Sequence, residues 1–92
     1  MEYYLECQYD TRQSFYKKAK VKEFDLDEVK LYELWSYNIN VAYIKDYGNE
    51  KKYVYLGKYS QTTTRHQKEF FRQKGLTEKE IKELFDKGVL SK

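Results

Sequence analysis

Several residue types are scarce or missing in this chain. Its 92 residues include no proline, one cysteine, one histidine and four glycines. The single Cys7 excludes an internal disulfide, fits a reducing environment and is expected to pack in the core. With one histidine and one cysteine there is no cluster with zinc-ligand spacing, so we expect neither a metal nor a cofactor.

Long apolar runs and familiar catalytic motifs are missing as well. No segment approaches the roughly 20 apolar residues that cross a bilayer, and no basic-then-apolar leader opens the sequence. We therefore expect a soluble, cytoplasmic protein without membrane contact. Neither a P-loop nor the GxSxG pattern of a serine nucleophile is present. These absences favour a binding protein over an enzyme.

Aromatic residues, by contrast, are abundant. They make up 18% of the chain, including eleven tyrosines, which is too many for a disordered protein. The length allows one modest core, so we predict a single domain over residues 1–92. The net charge is +3. Positive charge is concentrated in residues 11–22 and 51–74, which would form one basic patch if they lay side by side. Alternatively, the charge blocks only keep a small sheet soluble.

Residues 1–59 show the period-two alternation of β-strands. We predict strands over residues 3–9 and 15–22, the second at an edge or with a bulge at Lys17. Residues 25–28 indicate a turn, with a short helix as the alternative. The run 30–45 is long enough to bend or break between Ser36 and Asn40. Its expected common face holds Trp35, Tyr37, Ile39, Val41 and Tyr43. A hairpin loop over 46–50 leads to a strand over 53–56.

Residues 62–90 predict two helices. The first runs from about Thr64 to Lys74, with a Thr64–Gln67 capping box and Gly75 at its C-terminal cap. The second is capped by Thr77 with Glu80 and ends at Gly88, and it offers the ion pairs Glu78–Lys82 and Glu83–Lys87. The predicted fold class is α+β: an antiparallel sheet of about four to five strands followed by two C-terminal helices packed on one face.

The junction between the strands and the first helix is the leading candidate site. Ser60 to Thr64 are five consecutive hydroxyl or amide side chains, more than one cap requires. Arg65, Lys68 and Arg72 occupy an arc of about 60° on the helix. This basic ridge suits phosphate, although many such ridges are only solvated. His66 lies on the Phe70 face, where we expect a partly buried residue bonded to the sheet rather than a catalytic base.

A second candidate surface combines tyrosine with lysine. Tyr16 shares a predicted strand face with Lys18, Lys20 and Lys22, and Tyr53 and Tyr55 share another with Lys51. Aromatic rings on a basic sheet can stack on unpaired bases. Tyrosine is also simply a good strand former, which leaves a purely structural interpretation open.

Three blocks of the sequence form a recognisable pattern: Tyr9–Ala19, Leu34–Ala42 and Tyr59–Phe70, the last resembling Y-S-x-T-T-x-R-H-x-x-E-F. Together they are similar to a family of small uncharacterised proteins of phages and conjugative elements in low-GC Gram-positive bacteria. Lys17 and Ile39 depart from the family pattern, which has Gly and often Thr there. The resemblance implies a mobile-element accessory protein and supplies no mechanism. It directs attention to polar residues that could gather at the junction: Asp10, Arg12, Ser14, Ser36 and Tyr37.

The leading hypothesis is a non-enzymatic protein that docks nucleic acid or a host nucleoprotein complex, with inhibition of host defence, as by an anti-CRISPR protein, as one form. The candidate binding residues are Arg12, Lys18, Lys20, Lys22, Thr62, Thr63, Arg65, His66, Lys68 and Arg72. One alternative is a protein-interaction or self-assembling protein, such as a homodimer, that pairs edge strands. A minor alternative is a phosphoesterase centred on Arg65 and His66.

Overall fold

A computed structural model describes residues 1–11 and 14–92 and contains one antiparallel sheet with two helices. Its elements are β1 (Glu2–Tyr4), β2 (Ala19–Leu26), β3 (Val29–Ser36), β4 (Ile39–Asp46), β5 (Lys51–Tyr55), α1 (Gln61–Gln73), α2 (Glu78–Lys87) and β6 (Val89–Ser91). The strands lie in sequence order, β1-β2-β3-β4-β5-β6. The predicted α+β class is confirmed, with one more strand than the upper number expected.

The break predicted between Ser36 and Asn40 is a tight reversal. Tyr37 and Asn38 form a two-residue turn with φ of 50° and 68°, as type I′ hairpins require. Of the face predicted for residues 35–43, Trp35 and Tyr43 do share one side of the sheet. Tyr37 lies in the turn and Val41 is buried, because the chain reverses there and the register shifts between Leu34 and Trp35. Ser36, on the same face of β3 as Leu34, is buried, whereas Ile39 beyond the turn is exposed. The earlier hairpin turns at Asp27 and Glu28, so residues 25–28 contain the predicted turn and no helix.

The N-terminal strands begin and end elsewhere than predicted. β1 stops at Tyr4, and Cys7 packs against the core from the following loop rather than from a strand. β2 begins at Ala19 because Tyr16 and Lys17, with φ of 51° and 60°, form a turn that a strand cannot contain. β2 pairs with β1 and β3, so the predicted edge position is also wrong.

The start of α1 differs from the prediction, whereas its end agrees with it. The cap of α1 is Ser60, whose hydroxyl accepts from the Thr63 amide at 3.1 Å, so the predicted start and capping box at Thr64 are wrong. Gly75, with φ of 101°, closes α1 as predicted: its amide donates to the Arg72 carbonyl and that of Leu76 to Phe71.

The second helix follows its sequence signals closely. Thr77 and Glu80 form the expected capping box, and Gly88 is the left-handed C-terminal cap. Among the ion pairs of the described residues, Glu83–Lys87 is present at 2.9 Å and Glu78–Lys82 is absent. Beyond Gly88 the chain pairs with β5 as β6, a strand that the sequence did not reveal because three residues carry no usable periodicity.

Both helices cover the same side of the sheet. Val21, Leu34 and Ala42 are cross-strand partners, and all three are buried together with Phe70 and Leu84 of the helices. Directly paired residues of antiparallel strands share a face, so this row defines the covered side of the sheet and the alternate residues define its open side. In the part of the chain that the structure describes, no helix is long and apolar enough to cross a membrane.

Candidate functional site

One hydroxyl of the polar start of α1, that of Thr63, faces the interior of the protein. The Ser36 hydroxyl lies 2.9 Å from the Thr63 hydroxyl and 2.8 Å from Nδ1 of His66, and all three side chains are buried. The Tyr37 ring lies 5.9 Å from the His66 ring. The expectation that Ser36 and Tyr37 gather at this junction is confirmed, as is the bond between His66 and the sheet. Full burial of His66 goes beyond the partial burial expected.

Burial keeps His66 neutral. It lowers the pKa of His66 from 6.5 to about 4, while the Asp10 carboxylate acts in the opposite direction. The Phe15 ring packs edge-on at 4.6 Å, and Nε2 has no hydrogen-bond partner among the described residues. A neutral imidazole bonded to Ser36 links α1 to the end of β3. Thr63 and His66 therefore do not lie on the surface with the basic ridge, contrary to their place among the candidate binding residues.

Arg65 and His66 point in different directions. The Arg65 side chain is 41% exposed and its Nη1 lies 3.6 Å from the Asp10 carboxylate. His66 has no exposed area. A phosphoesterase centre requires both side chains to face one substrate, and this geometry does not bring them together.

Glu69 is a key residue that sequence reasoning missed. Its buried carboxylate accepts hydrogen bonds from the backbone amides of Tyr9 at 2.9 Å and Asp10 at 2.8 Å, and from Nε2 of Gln73 at 2.6 Å. These bonds fasten the loop after β1 to α1. The available signal was its helical position, about 40° from Arg65 toward Phe70, which places it at the edge of the buried face.

The basic ridge borders a groove of about 670 Å³ between α1, α2 and the loop that follows β1. Arg72 lies 4.6 Å from the centre of the Tyr9 ring, and Lys68 is exposed between the two arginines. The facing wall carries Glu78, Lys82 and Asp86 of α2. Acidic groups therefore offset much of the positive charge of the ridge.

The open side of the sheet is more uniformly basic. Nζ of Lys22 lies 4.2 Å from the Trp35 ring centre, that of Lys20 5.5 Å from Tyr4, and that of Lys45 5.8 Å from Tyr43. Lys52 is the cross-strand partner of Lys45, and Lys17 reaches the Tyr4 ring from the turn before β2. The acidic residues of this side are Glu2, 3.4 Å from Lys20, and Glu33, which accepts from the Trp35 indole at 3.1 Å.

The sequence identified this surface only in part. Lys20 and Lys22 lie on it, while Lys18 and Tyr16 are exposed in the preceding turn. The missed members are Tyr4, Trp35, Tyr43, Lys45 and Lys52. Alternation along β3 and β4 would have revealed Trp35, Tyr43 and Lys45 had the reversal been placed at residues 37–38.

The other predicted tyrosines face the helices instead. Tyr53 is buried, and Tyr55 stacks on Phe85 with ring centres 4.1 Å apart, so neither joins an exposed surface with Lys51. Thr62 is half-buried in the first turn of α1, and Arg12 lies outside the described residues.

The two basic blocks of the sequence meet only in part. Lys52 of the second block lies on the open side with Lys20 and Lys22 of the first. Arg65 and Lys68 belong to a helix on the covered side, so the single patch that the sequence allowed does not include the basic ridge. Among the described residues, no group of three or more His, Cys, Asp or Glu side chains could hold a metal ion.

A search of curated proteins and a search of solved structures found no match. A family model described as a family of unknown function, DUF8033, matches residues 3–87. That range includes the Ser36–His66 junction, the Glu69 anchor and the open side of the sheet from β1 to β5. The expectation of an uncharacterised family is confirmed, and the chain belongs to DUF8033.

Proposed function

We propose that this protein binds single-stranded nucleic acid on the open side of its sheet. The observation that carries the proposal is the pairing of lysines with aromatic rings there: Lys22 on Trp35, Lys20 on Tyr4 and Lys45 on Tyr43. This surface carries five lysines, including Lys17, and two glutamates, so its charge is positive. Lysine ammonium groups attract phosphate, and the rings between them offer stacking surfaces.

A single strand fits this surface better than a duplex does. Base–aromatic stacking contributes about 1–3 kcal/mol per base, and it requires bases that are not already stacked in a helix. The rings of Tyr4, Trp35 and Tyr43 come from β1, β3 and β4, so they spread across the sheet rather than along one strand. This breadth supports contact with more than one base.

The basic ridge is the weaker candidate for phosphate. Asp10 lies 3.6 Å from Arg65, and Glu78 and Asp86 line the facing wall of the groove. A phosphate backbone in that groove would lie close to these carboxylates, and like-charge contacts cost affinity. The open side therefore supports nucleic-acid binding more directly.

The test is a titration with a labelled oligothymidine of about 15 nucleotides, a length near the upper site size of a small single-strand binder. We expect saturable binding that weakens between about 50 and 200 mM salt, and weaker binding to a matched duplex. Trp35→Ala and Tyr43→Ala should each weaken binding by about 1–3 kcal/mol.

The matched control is Tyr59→Ala, which removes an exposed tyrosine outside the sheet. It should leave oligothymidine affinity unchanged, and circular dichroism checks that each variant is folded. Salt-independent binding, no binding, or equal losses in Tyr59→Ala and Trp35→Ala would refute the proposal.

The resemblance to mobile-element proteins supports a narrower form of the proposal. In that setting the bound nucleic acid would be part of a host nucleoprotein complex. Binding of this protein to it would inhibit a host defence. The test is co-purification from the native host followed by nuclease treatment. We expect nuclease to release the co-purified host proteins, and we expect Trp35→Ala to prevent their co-purification. Host proteins that stay bound after nuclease would contradict a bridging nucleic-acid strand.

Self-assembly through edge strands has less support. The sheet edges are β1 and β6, each three residues long. Such short edges offer few backbone hydrogen bonds to a second copy.

A further inference from the structure

The groove on the covered side has two walls of different charge. The α1 wall presents Arg65, Lys68 and Arg72, and the α2 wall presents Glu78, Lys82 and Asp86. Tyr9, Ile81 and Phe85 contribute the apolar lining between the walls. The groove thus has a cationic side, a mixed and mostly acidic side, and an apolar strip between them.

The cationic wall is held in place before any partner arrives. Glu69 accepts from the backbone amides of Tyr9 and Asp10 and so fixes the loop that carries both side chains. The Tyr9 ring then lies against Arg72, and the Asp10 carboxylate lies beside Arg65. Ordering long side chains in advance lowers the entropy that a partner must overcome on binding.

Charge complementarity points to the occupant. A nucleic-acid strand carries no positively charged group that would complement Glu78 and Asp86. An amphipathic helix can carry carboxylates on one flank, apolar residues at its centre and basic residues on the other flank. The cationic wall extends seven residues along α1, about 10 Å, which corresponds to two turns of such a helix.

We propose that this groove binds an amphipathic helix of a partner protein, with the acidic flank of that helix against Arg65, Lys68 and Arg72. Its apolar face packs on the accessible rings of Tyr9 and Phe85, and its basic flank faces Glu78 and Asp86. Recognition of a helix in a groove by apolar anchors at i, i+3, i+4 and i+7 is a recurring mode of protein interaction. The inference is independent of the proposed function, because it concerns the opposite side of the sheet.

The probe is a synthetic helical peptide of about 18 residues with leucine and phenylalanine anchors, glutamates on one flank and lysines on the other. A second peptide exchanges the two flanks and keeps the anchors. Binding is followed by amide chemical shifts of the full chain. We expect saturable shifts confined to residues 9–10, 65–72 and 78–86, which line the groove, and at least about fivefold weaker binding of the exchanged peptide.

Charge reversal on the protein completes the test. Lys68→Glu, at an exposed position, should weaken binding of the first peptide about fivefold, whereas Lys79→Glu, on α2 outside the groove lining, should have no effect. Arg72→Glu serves as a second variant. Equal binding of both peptides, no saturable binding, or shifts outside the groove would overturn the inference.

Two further outcomes would assign the groove to another occupant and also overturn it. Concentration-dependent shifts of residues 65–72 and 81–86 without peptide would indicate a second copy of the chain. Shifts of the same residues on adding oligothymidine would indicate nucleic acid. Because oligothymidine binding to the open side is measured separately, failure of the peptide experiment leaves the proposed function standing.

Discussion

The two sides of the sheet use polar residues in opposite ways. On the covered side, Ser36, Thr63, His66 and Glu69 are buried and hydrogen-bonded within the protein. On the open side, lysines lie beside aromatic rings and remain accessible to solvent. The start of α1, which most resembles an active site in the sequence, therefore stabilises the fold. Strand residues of the open side, which follow an ordinary period-two alternation, form the surface available to a partner.

Burial explains why the polar residues of the covered side serve only to stabilise the fold. A buried polar group that loses its partner costs about 1–3 kcal/mol, so each one specifies its neighbours closely. A solvated lysine such as Lys22 exchanges one partner for water at little cost and remains free to meet a phosphate. Substitutions on the two sides should accordingly differ in what they damage.

The largest contrast is between two phenylalanines. Phe70 has no exposed area, whereas Phe24 on the open side is 41% exposed. Phe70→Ala should lower the free energy of unfolding by about 3–5 kcal/mol because it leaves a cavity under α1, and Phe24→Ala by less than about 1 kcal/mol. Urea denaturation measures both. Similar losses would show that the open side is also core.

The next contrast is pH dependence. The pKa of His66 is about 4 in the folded protein, below its ordinary value of 6.5, so the unfolded chain binds more protons between these values. The contribution of neutral His66 to the free energy of unfolding is therefore fully present above pH 6.5. It is lost as the pH falls from 6.5 toward 4, which lowers the free energy of unfolding by up to about 3 kcal/mol.

His66→Asn should remove the part of this pH dependence that lies between pH 6.5 and 5. In that range the carboxylates of Asp and Glu contribute least to the pH dependence of stability. The measurement is urea denaturation across that range. An unchanged slope in the variant would show that His66 is not the group responsible, whatever the variant does to stability at neutral pH.

Two glutamates give the third contrast. Glu69 accepts from Tyr9, Asp10 and Gln73, whereas Glu33 on the open side accepts from the Trp35 indole. Glu69→Gln should cost about 2 kcal/mol because an amide has one acceptor oxygen and no charge, and Glu33→Gln about 0.5 kcal/mol or less. Faster hydrogen exchange of the Tyr9 amide in Glu69→Gln would locate the damage, and equal costs would contradict the role of Glu69 as the loop anchor.

The sequence predicted what depends on local chemistry. The capping box at Thr77, the helix end at Gly75, the hairpin loop over 46–50 and the inward position of Phe70 all follow from short-range rules. The α+β order followed from periodicity that changes once, near residue 60.

The remainder depended on contacts between distant residues. The bond from Glu69 to the Tyr9 amide spans 60 positions, and no local pattern distinguishes it from a solvated glutamate. Ser36 occupied the polar half of an alternation, yet it lies on the same face of β3 as buried Leu34 and bonds to Thr63 and His66 of α1, 27 and 30 positions away. Whether the two basic blocks meet was likewise set by topology and not by composition.

The smallest effect on stability gives the sharpest test of the comparison. Lys22→Gln with Lys45→Gln removes two charges from the open side, where each ammonium lies on a ring and neither has an ion pair among the described residues. The free energy of unfolding should change by less than about 1 kcal/mol. If both lysines bind phosphates, the salt dependence of log affinity for oligothymidine should become shallower by about 1.4, since each neutralised phosphate of a single strand contributes about 0.7 to the slope. The paired control, Lys79→Gln with Lys82→Gln on α2, has the same net charge, so an equal change in slope would show that overall charge rather than the open side attracts the strand.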